Sequence, residues 1–363
     1  MSDDARIAIL TPYGPSRKVG GVEVFNEFLR RALGPIEVFA DGRPGLLGGL
    51  GDLGRVGLEQ PVGAVRASRE LLRRHREERF DVILSNGVYG WPLTLAKPGV
   101  PLVQVYHFTM AGFARHALSL RGDRLTTGRV TALFDRLAGI GKNVVAVSPR
   151  VLREVESFYG LHGRILPQPV DTQAFHPVDR ARARDALGLP QGAAIGLFVG
   201  RADHTKGYDI LLRVARLMPE VLFLVAGGGG AGGNGGALDT VRPLGRIPHP
   251  DMPLWYSASD FFFLPSRYEG FGLALLEALS CNIPAVVSEP AWPFSEPPAR
   301  CGVAVRGESE QDFATAIRFV LAEGTKFSPR EFILPRYNFP VFQQAWRAFI
   351  DSIVRQDSLP LPT

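Results

Sequence analysis

Cysteine is nearly missing. The 363 residues include two, Cys281 and Cys301, at a separation that fits neither a zinc-ligand pair nor a redox motif, so two buried thiols are expected in place of a disulfide framework. No run approaches the roughly 18 apolar residues a membrane-spanning helix needs. The start, MSDDARIAIL, has no charged region followed by a long apolar stretch and a cleavage site, so a cytoplasmic location is expected. The seven histidines are scattered without H-E-x-x-H spacing and no D-x-D occurs, so neither a metal nor a tightly bound cofactor is expected.

What is present reads as ordinary globular sequence, with 45% hydrophobic and 21% charged residues. The length suits two domains of about 150–200 residues each. A formal net charge of +5 favours anionic partners without choosing among nucleic acid, phosphorylated substrates and acidic lipid.

Apolar runs at Arg6–Leu10, Asp81–Leu84, Pro101–Tyr106 and Asn143–Val147 alternate with helical stretches, as expected of parallel strands joined by crossover helices. Between Gly34 and Pro61, eight glycines and three prolines break the periodicity, and this segment is read as a long, mobile loop. LPQPVDTQAFHP marks a boundary near Leu166–Pro177. The alternation then restarts, with strands at Ile195–Val199, Val221–Ala226, Phe261–Leu264 and Ala285–Val287 and helices at Tyr208–Met218 and Leu273–Leu279. GGGGAGGNGG after Ala226 reads as a flexible loop, and Val341–Arg355 as a closing helix.

Four features fall at strand-to-helix turns, the edge of a parallel sheet where ligands bind. Gly20-Gly21 precedes the opening helix and lets a phosphate approach its free N–H groups, although a tight turn would look the same. GRADHTKG places Arg201 and Lys206 after a strand, where two cations suit a diphosphate leaving group; a surface pair is the plain alternative. The loop is neither a Walker A, since Gly207 follows Lys206, nor a G-x-G-x-x-G fingerprint. In EGFGLALLEAL, Glu269 and Glu277 flank Gly270-Phe271-Gly272, and Glu277 can accept hydrogen bonds from a diol such as ribose. His107 closes the run PLVQVYH, where it could bond a sugar or serve the core.

With GGVEVFNEFL, VYHFT, VVAVSPRV, PVDTQAFHP, FVGRADHTKGYDILL and PLGRIPHPDMPLWYSASDFFFLPSRYEGFGLALLEALSCNIPAVVS in view, the chain resembles the retaining glycosyltransferases of the GT-B fold, particularly glycosyltransferase family four. The resemblance implies an α/β architecture of two Rossmann-like domains with a deep interdomain cleft. Residues 1–168 with the C-terminal helix 341–363, crossing back, would form the acceptor domain, and 169–340 the donor domain. It further implies a nucleotide-diphosphate sugar as co-substrate, UDP-hexose by default, with transfer retaining and metal-independent. Arg201 and Lys206 would hold the diphosphate and Glu277 the ribose. Glu269 with the backbone of Gly270, Phe271 and Gly272 would grip the sugar or its phosphate, His107 would face the sugar, Gly20 and Gly21 would line the donor site, and the backbone near Ile247 would meet the base. The linker departs from the family's Asn-Gly-Val-Asp, with Gln168-Pro169-Val170-Asp171 in its place.

The enzyme alternatives are a GT-B sugar phosphorylase or nucleotide-sugar epimerase. RASRELLRRHREER (Arg66–Arg79) prompts a nucleic-acid reading, but no nucleic-acid module accompanies it and a solvated helix face explains it as well. The same stretch, with Arg115–Arg136, could rest on an anionic membrane if Arg73, Arg74 and Arg76 share an exposed face. The acceptor is then soluble or lipid-linked.

Overall fold

The computed structural model describes residues 5–12, 14, 20–41, 53–116, 126–228 and 238–357. The chain divides into two compact units, Met1–Gln168 with Phe339–Thr363, and Pro169–Asn338.

The first unit is built on six parallel strands, β1 (Ile7–Thr11), β2 (Ile36–Ala40), β3 (Val82–Asn86), β4 (Leu102–Tyr106), β5 (Asn143–Ala146) and β6 (Gly163–Ile165), in the order β2-β1-β3-β4-β5-β6. β1 and β3 are buried along their whole length, because crossover helices cover both faces of such a sheet. The chain's last helix, Phe339–Asp357, belongs to this unit. Its Phe342 and Trp346 pack edge-on against Phe25 of the helix Gly21–Leu33, and Arg347 Nε donates to the Ala32 carbonyl at 2.8 Å.

Part of the Gly34–Pro61 segment is not loop. IEVFA forms β2, in register with β1 from Ile36 against Ile7, and a helix runs from Leu53 to Glu77 with Pro61 inside it. Five residues beside a glycine and a proline carry too little periodicity to announce a strand, and pairing with β1 supplies what local propensity lacks. Tertiary burial likewise carries the helix past its glycines: Ala64, Ala67 and Leu71 on its inner face join Phe39 and Phe80 in one core cluster. Residues 42–52 lie outside the described residues, as do 229–237 of the glycine run.

The second unit repeats the plan with β7 (Ala194–Val199), β8 (Val221–Ala226), β9 (Val241–Gly245), β10 (Phe261–Leu264), β11 (Ala285–Ser288) and β12 (Gly302–Val305), all parallel, in the order β12-β11-β10-β7-β8-β9. FFFL of β10 is wholly buried, with Phe261 and Phe263 meeting Phe223 and Phe313 in the core. Both cysteines are buried and free, and burial pushes the Cys301 thiol up to about 12. Neither thiol is therefore ionised near neutral pH.

In each sheet the strand order reverses at one place, between β1 and β3 in the first and between β7 and β10 in the second. The loops leaving neighbouring strands part there, opening a crevice at the carboxyl ends.

Candidate functional site

The loops at the β7/β10 crevice carry Arg201, Lys206 and Glu269. After β7 the chain turns through Gly200–Gly207 into the helix Tyr208–Leu217; after β10 it runs through Pro265–Gly272 into the helix Leu273–Ser280. Both helices open on a glycine in the left-handed region, Gly207 at φ 70° and Gly272 at φ 78°. At Gly207 a Cβ would stand 2.0 Å from the Pro265 carbonyl oxygen, so the two loops touch only because the side chain is missing.

That contact sets Lys206 beside Glu269. Lys206 Nζ donates to Glu269 Oε1 at 2.5 Å, the same oxygen accepts from the Ser266 hydroxyl at 2.9 Å, and the Lys206 amide is held by Asp203 at 3.0 Å. Glu269 is buried, whereas Arg201 is exposed and its Nε reaches Asp203 at 2.7 Å. The structure thus joins Lys206 to Glu269 and leaves Arg201 swung onto its own loop. Phe271 packs its ring against Phe294 and Tyr337, so the ring is not turned to a ligand.

Glu277, inside the helix that follows, makes no direct hydrogen bond to that pair. Its Oε2 accepts from the Tyr256 hydroxyl at 2.8 Å and its Oε1 lies 2.9 Å from His249 Nε2. Neither partner was legible beforehand, because each comes from another element: Tyr256 from the helix Met252–Ala258 and His249 from the turn His249–Asp251. Ile247, in the stretch between β9 and that turn, is partly exposed.

In the first unit, polar groups gather at the β1/β3 crevice. Asn86 Nδ2 donates to Asn26 Oδ1 at 2.9 Å, and Asn26 Nδ2 to Thr11 at 3.2 Å. That leaves Asn86 Oδ1 as acceptor for His107 Nε2 at 3.0 Å, so the opposite nitrogen, Nδ1, accepts from Gln168 Nε2 at 3.1 Å. Both ring nitrogens are therefore spent on the protein, and the ring stands edge-on to Phe25 at 4.7 Å. Burial drives its pKa down to about 3, and His107 is neutral at physiological pH. Gln168, which stands where the family pattern has Asn, spans the gap to the ring.

The segment after His107 is fastened from below. Buried Asp135 accepts from the Met110 amide at 3.0 Å and from the Tyr159 hydroxyl at 2.7 Å, and burial raises its pKa to about 7. At Gly20-Gly21 the structure adds a carboxylate the sequence reading did not weigh. Glu23 accepts from the backbone of Gly20, its buried Oε1 has no partner among the described residues, and burial raises its pKa. An acid already occupies part of that helix N-terminus.

On the long helix Arg66, Arg73 and Arg74 are ion-paired locally, while Arg76 Nε donates to the Leu72 carbonyl at 3.3 Å. Arg73 pairs with Glu70 and Glu77, Arg74 with Glu78 and Glu37, and Arg66 with Asp41, while Leu71 and Phe80 point into the core. This is a solvated, ion-paired face. Much of Arg115–Arg136 lies outside the described residues. Among the described residues no helix is long and apolar enough to cross a membrane.

Two tandem parallel sheets, each with polar groups collected where its strand order reverses, define a two-domain α/β protein of the GT-B kind. Two family models match in succession, Glycosyltransferase Family 4 over residues 19–174 and Glycosyl transferases group 1 over 179–331. The chain belongs to these glycosyltransferases, a family of transferases. It is 30% identical over 275 residues to D-inositol 3-phosphate glycosyltransferase 2 of Catenulispora acidiphila, a match covering 68% of this chain and 64% of the relative. A D-inositol 3-phosphate glycosyltransferase of Streptosporangium roseum is 34% identical over 273 residues, 67% of this chain and 62% of that protein. The chain thus spans somewhat under two thirds of these relatives. Among solved structures, a sucrose-phosphate synthase from Thermosynechococcus elongatus superposes with TM-score 0.80 at 20% identity, covering 96% of this chain and all of that one. HepE of Anabaena in complex with UDP-glucose gives 0.70 at 18%, covering 95% of this chain and 99% of the other.

Proposed function

We propose that this protein is a retaining, metal-independent glycosyltransferase that moves a hexose from a nucleotide-diphosphate donor, UDP-linked in the first instance, to a hydroxyl acceptor. The observation that carries this reading is the Lys206–Glu269 pair at the β7/β10 crevice, on loops that also present Arg201 and the helix bearing Glu277. A diphosphate arriving there meets Lys206, already paired with Glu269, and the exposed Arg201 side chain. Charge grows on the leaving phosphate as the glycosidic bond lengthens, and these cations oppose it. Glu269 orients Lys206 and, with the backbone amides at Gly270–Gly272, receives the sugar. Glu277 receives the ribose hydroxyls.

Ring-nitrogen chemistry is closed to His107 while Asn86 and Gln168 hold it, so its part in the reaction is that of a neutral, fixed ring. The leaving phosphate itself then takes the acceptor proton on the same face, which preserves the anomeric configuration. The relatives' name makes D-inositol 3-phosphate the first acceptor to try, with lipid-linked acceptors beside it.

The test is incubation with radiolabelled UDP-, GDP- and ADP-sugars, with and without acceptor, in EDTA. Labelled acceptor formed in EDTA supports the reading. Sugar phosphate formed from inorganic phosphate would mark a phosphorylase, and an epimerised nucleotide sugar an epimerase.

A further inference from the structure

The two oxygens of Glu277 are held in unlike ways. Oε2 faces inward to Tyr256, which is wholly buried between Phe175 and Phe262 at ring separations of 6.1 and 6.0 Å. A buried phenol needs an acceptor, and Glu277 supplies it. Oε1 faces outward to His249, whose side chain is 60% exposed against 13% for Glu277. An exposed contact of this sort is worth little, since water replaces it readily, whereas the inner bond is dry and charge-assisted. The carboxylate therefore has one permanent and one exchangeable partner. Its plane is set from inside, and its outer edge is covered by the exposed His249 ring, which lies 5.0 Å from the Phe175 ring.

We propose that Tyr256 is a positioning residue that fixes the Glu277 carboxylate to receive a vicinal diol, and that His249 is a displaceable cap which the ribose of the donor replaces. This rests on the donor reading given above and names the device that selects ribose. A carboxylate free to rotate would accept from one hydroxyl at a time. Pinned at Oε2, it offers the outer Oε1 and the remaining lone pair of Oε2 side by side, the arrangement a cis-diol requires.

The test is isothermal titration of the full-length protein with UDP, GDP and ADP, and of the tightest binder's 2′,3′-dideoxy counterpart, against wild type, Tyr256→Phe, His249→Ala and Glu277→Gln. Wild type is expected to prefer the ribonucleotide about tenfold or more, since hydrogen bonds to a charged group are being lost. Glu277→Gln should abolish most of that preference. Tyr256→Phe, which keeps the ring and so the packing, should cut it at least threefold while leaving affinity for the dideoxy compound as in wild type. General damage to the unit would weaken both. His249→Ala should raise ribonucleotide affinity about threefold. A preference undiminished in Tyr256→Phe overturns the positioning role, and weaker ribonucleotide binding in His249→Ala overturns the cap. Equal binding of ribo and dideoxy forms by wild type overturns the diol site while leaving the donor reading standing. Failure of all three diphosphates to bind overturns both.

Discussion

Replacing Lys206 with Met takes the cation out of a pair whose side chains are 21% and 9% exposed and whose atoms are 2.5 Å apart. Glu269 is then left as a nearly dry carboxylate held by the Ser266 hydroxyl. Removing one member of a fully buried pair costs about 3–5 kcal/mol, whereas an exposed pair is worth about 0–1 kcal/mol. A lysine one-fifth exposed lies between these limits, so the expected loss is about 2 kcal/mol. Adding Glu269→Gln removes the stranded charge and should restore about half of it. Hydrogen exchange of the β7 and β10 amides reads this in the second unit alone, where slower exchange reports a higher opening free energy. In the same variant, turnover should fall about tenfold or more, the effect of one lost charge-assisted phosphate contact. Wild-type protection in Lys206→Met, or a double variant no more stable than the single one, would refute the argument that Glu269 depends on this cation.

The buried titratable groups of the first unit give opposite pH signatures. The unfolded chain protonates His107 below about 6.5, whereas the native state, at about 3, does not, so this contribution is complete above 6.5 and shrinks as pH falls; His107→Gln should therefore lose about 2 kcal/mol less than wild type between pH 7 and pH 5 in urea titrations. Asp135 has its native pKa raised to about 7, so its contribution is complete below the unfolded value near 3.9 and is lost as pH rises to 7; Asp135→Asn, which still accepts from Met110 and Tyr159, should gain about 2 kcal/mol on wild type from pH 5 to pH 7. Gly207→Ala sets a Cβ at φ 70° against the Pro265 carbonyl and should cost at least about 2 kcal/mol, with turnover falling as Lys206 shifts, both measured on one preparation. Because Arg73 and Arg74 are already ion-paired, anionic vesicles should not sediment the protein at 0.15 M salt, on the order of physiological ionic strength; pelleting abolished by Arg73→Glu with Arg74→Glu and Arg76→Glu would show a membrane face.

The strands were readable wherever burial on both faces leaves an uninterrupted apolar run, as in FFFL of β10 and VILSN of β3. β2, β6, β9 and β12 were missed, and each sits at a sheet edge: IEVFA follows Gly-Pro, VRPLG contains a proline that an edge position tolerates, and GRI and GVAV are only three and four residues long. Lys206, Glu269 and Glu277 stood out because loop chemistry and helix starts concentrate there. Their partners did not. Asn86, Gln168, Tyr256 and His249 are ordinary residues in ordinary places, and only the return of distant strands and helices brings them to His107 and Glu277. The occupancy of both His107 nitrogens likewise follows from an amide orientation set two hydrogen bonds away, at Asn26, on a different element.

Donor binding by Lys206 and Glu277 is what the proposed reaction most needs. Thermal unfolding of wild type and of Lys206→Ala/Glu277→Ala should be recorded with UDP-, GDP- and ADP-sugars. At least one sugar nucleotide is predicted to stabilise wild type, by about 2.7 kcal/mol at a hundredfold excess over its Kd, and to leave the double variant unshifted at the same concentration. No shift with any of them, or an equal shift in the variant, would contradict it.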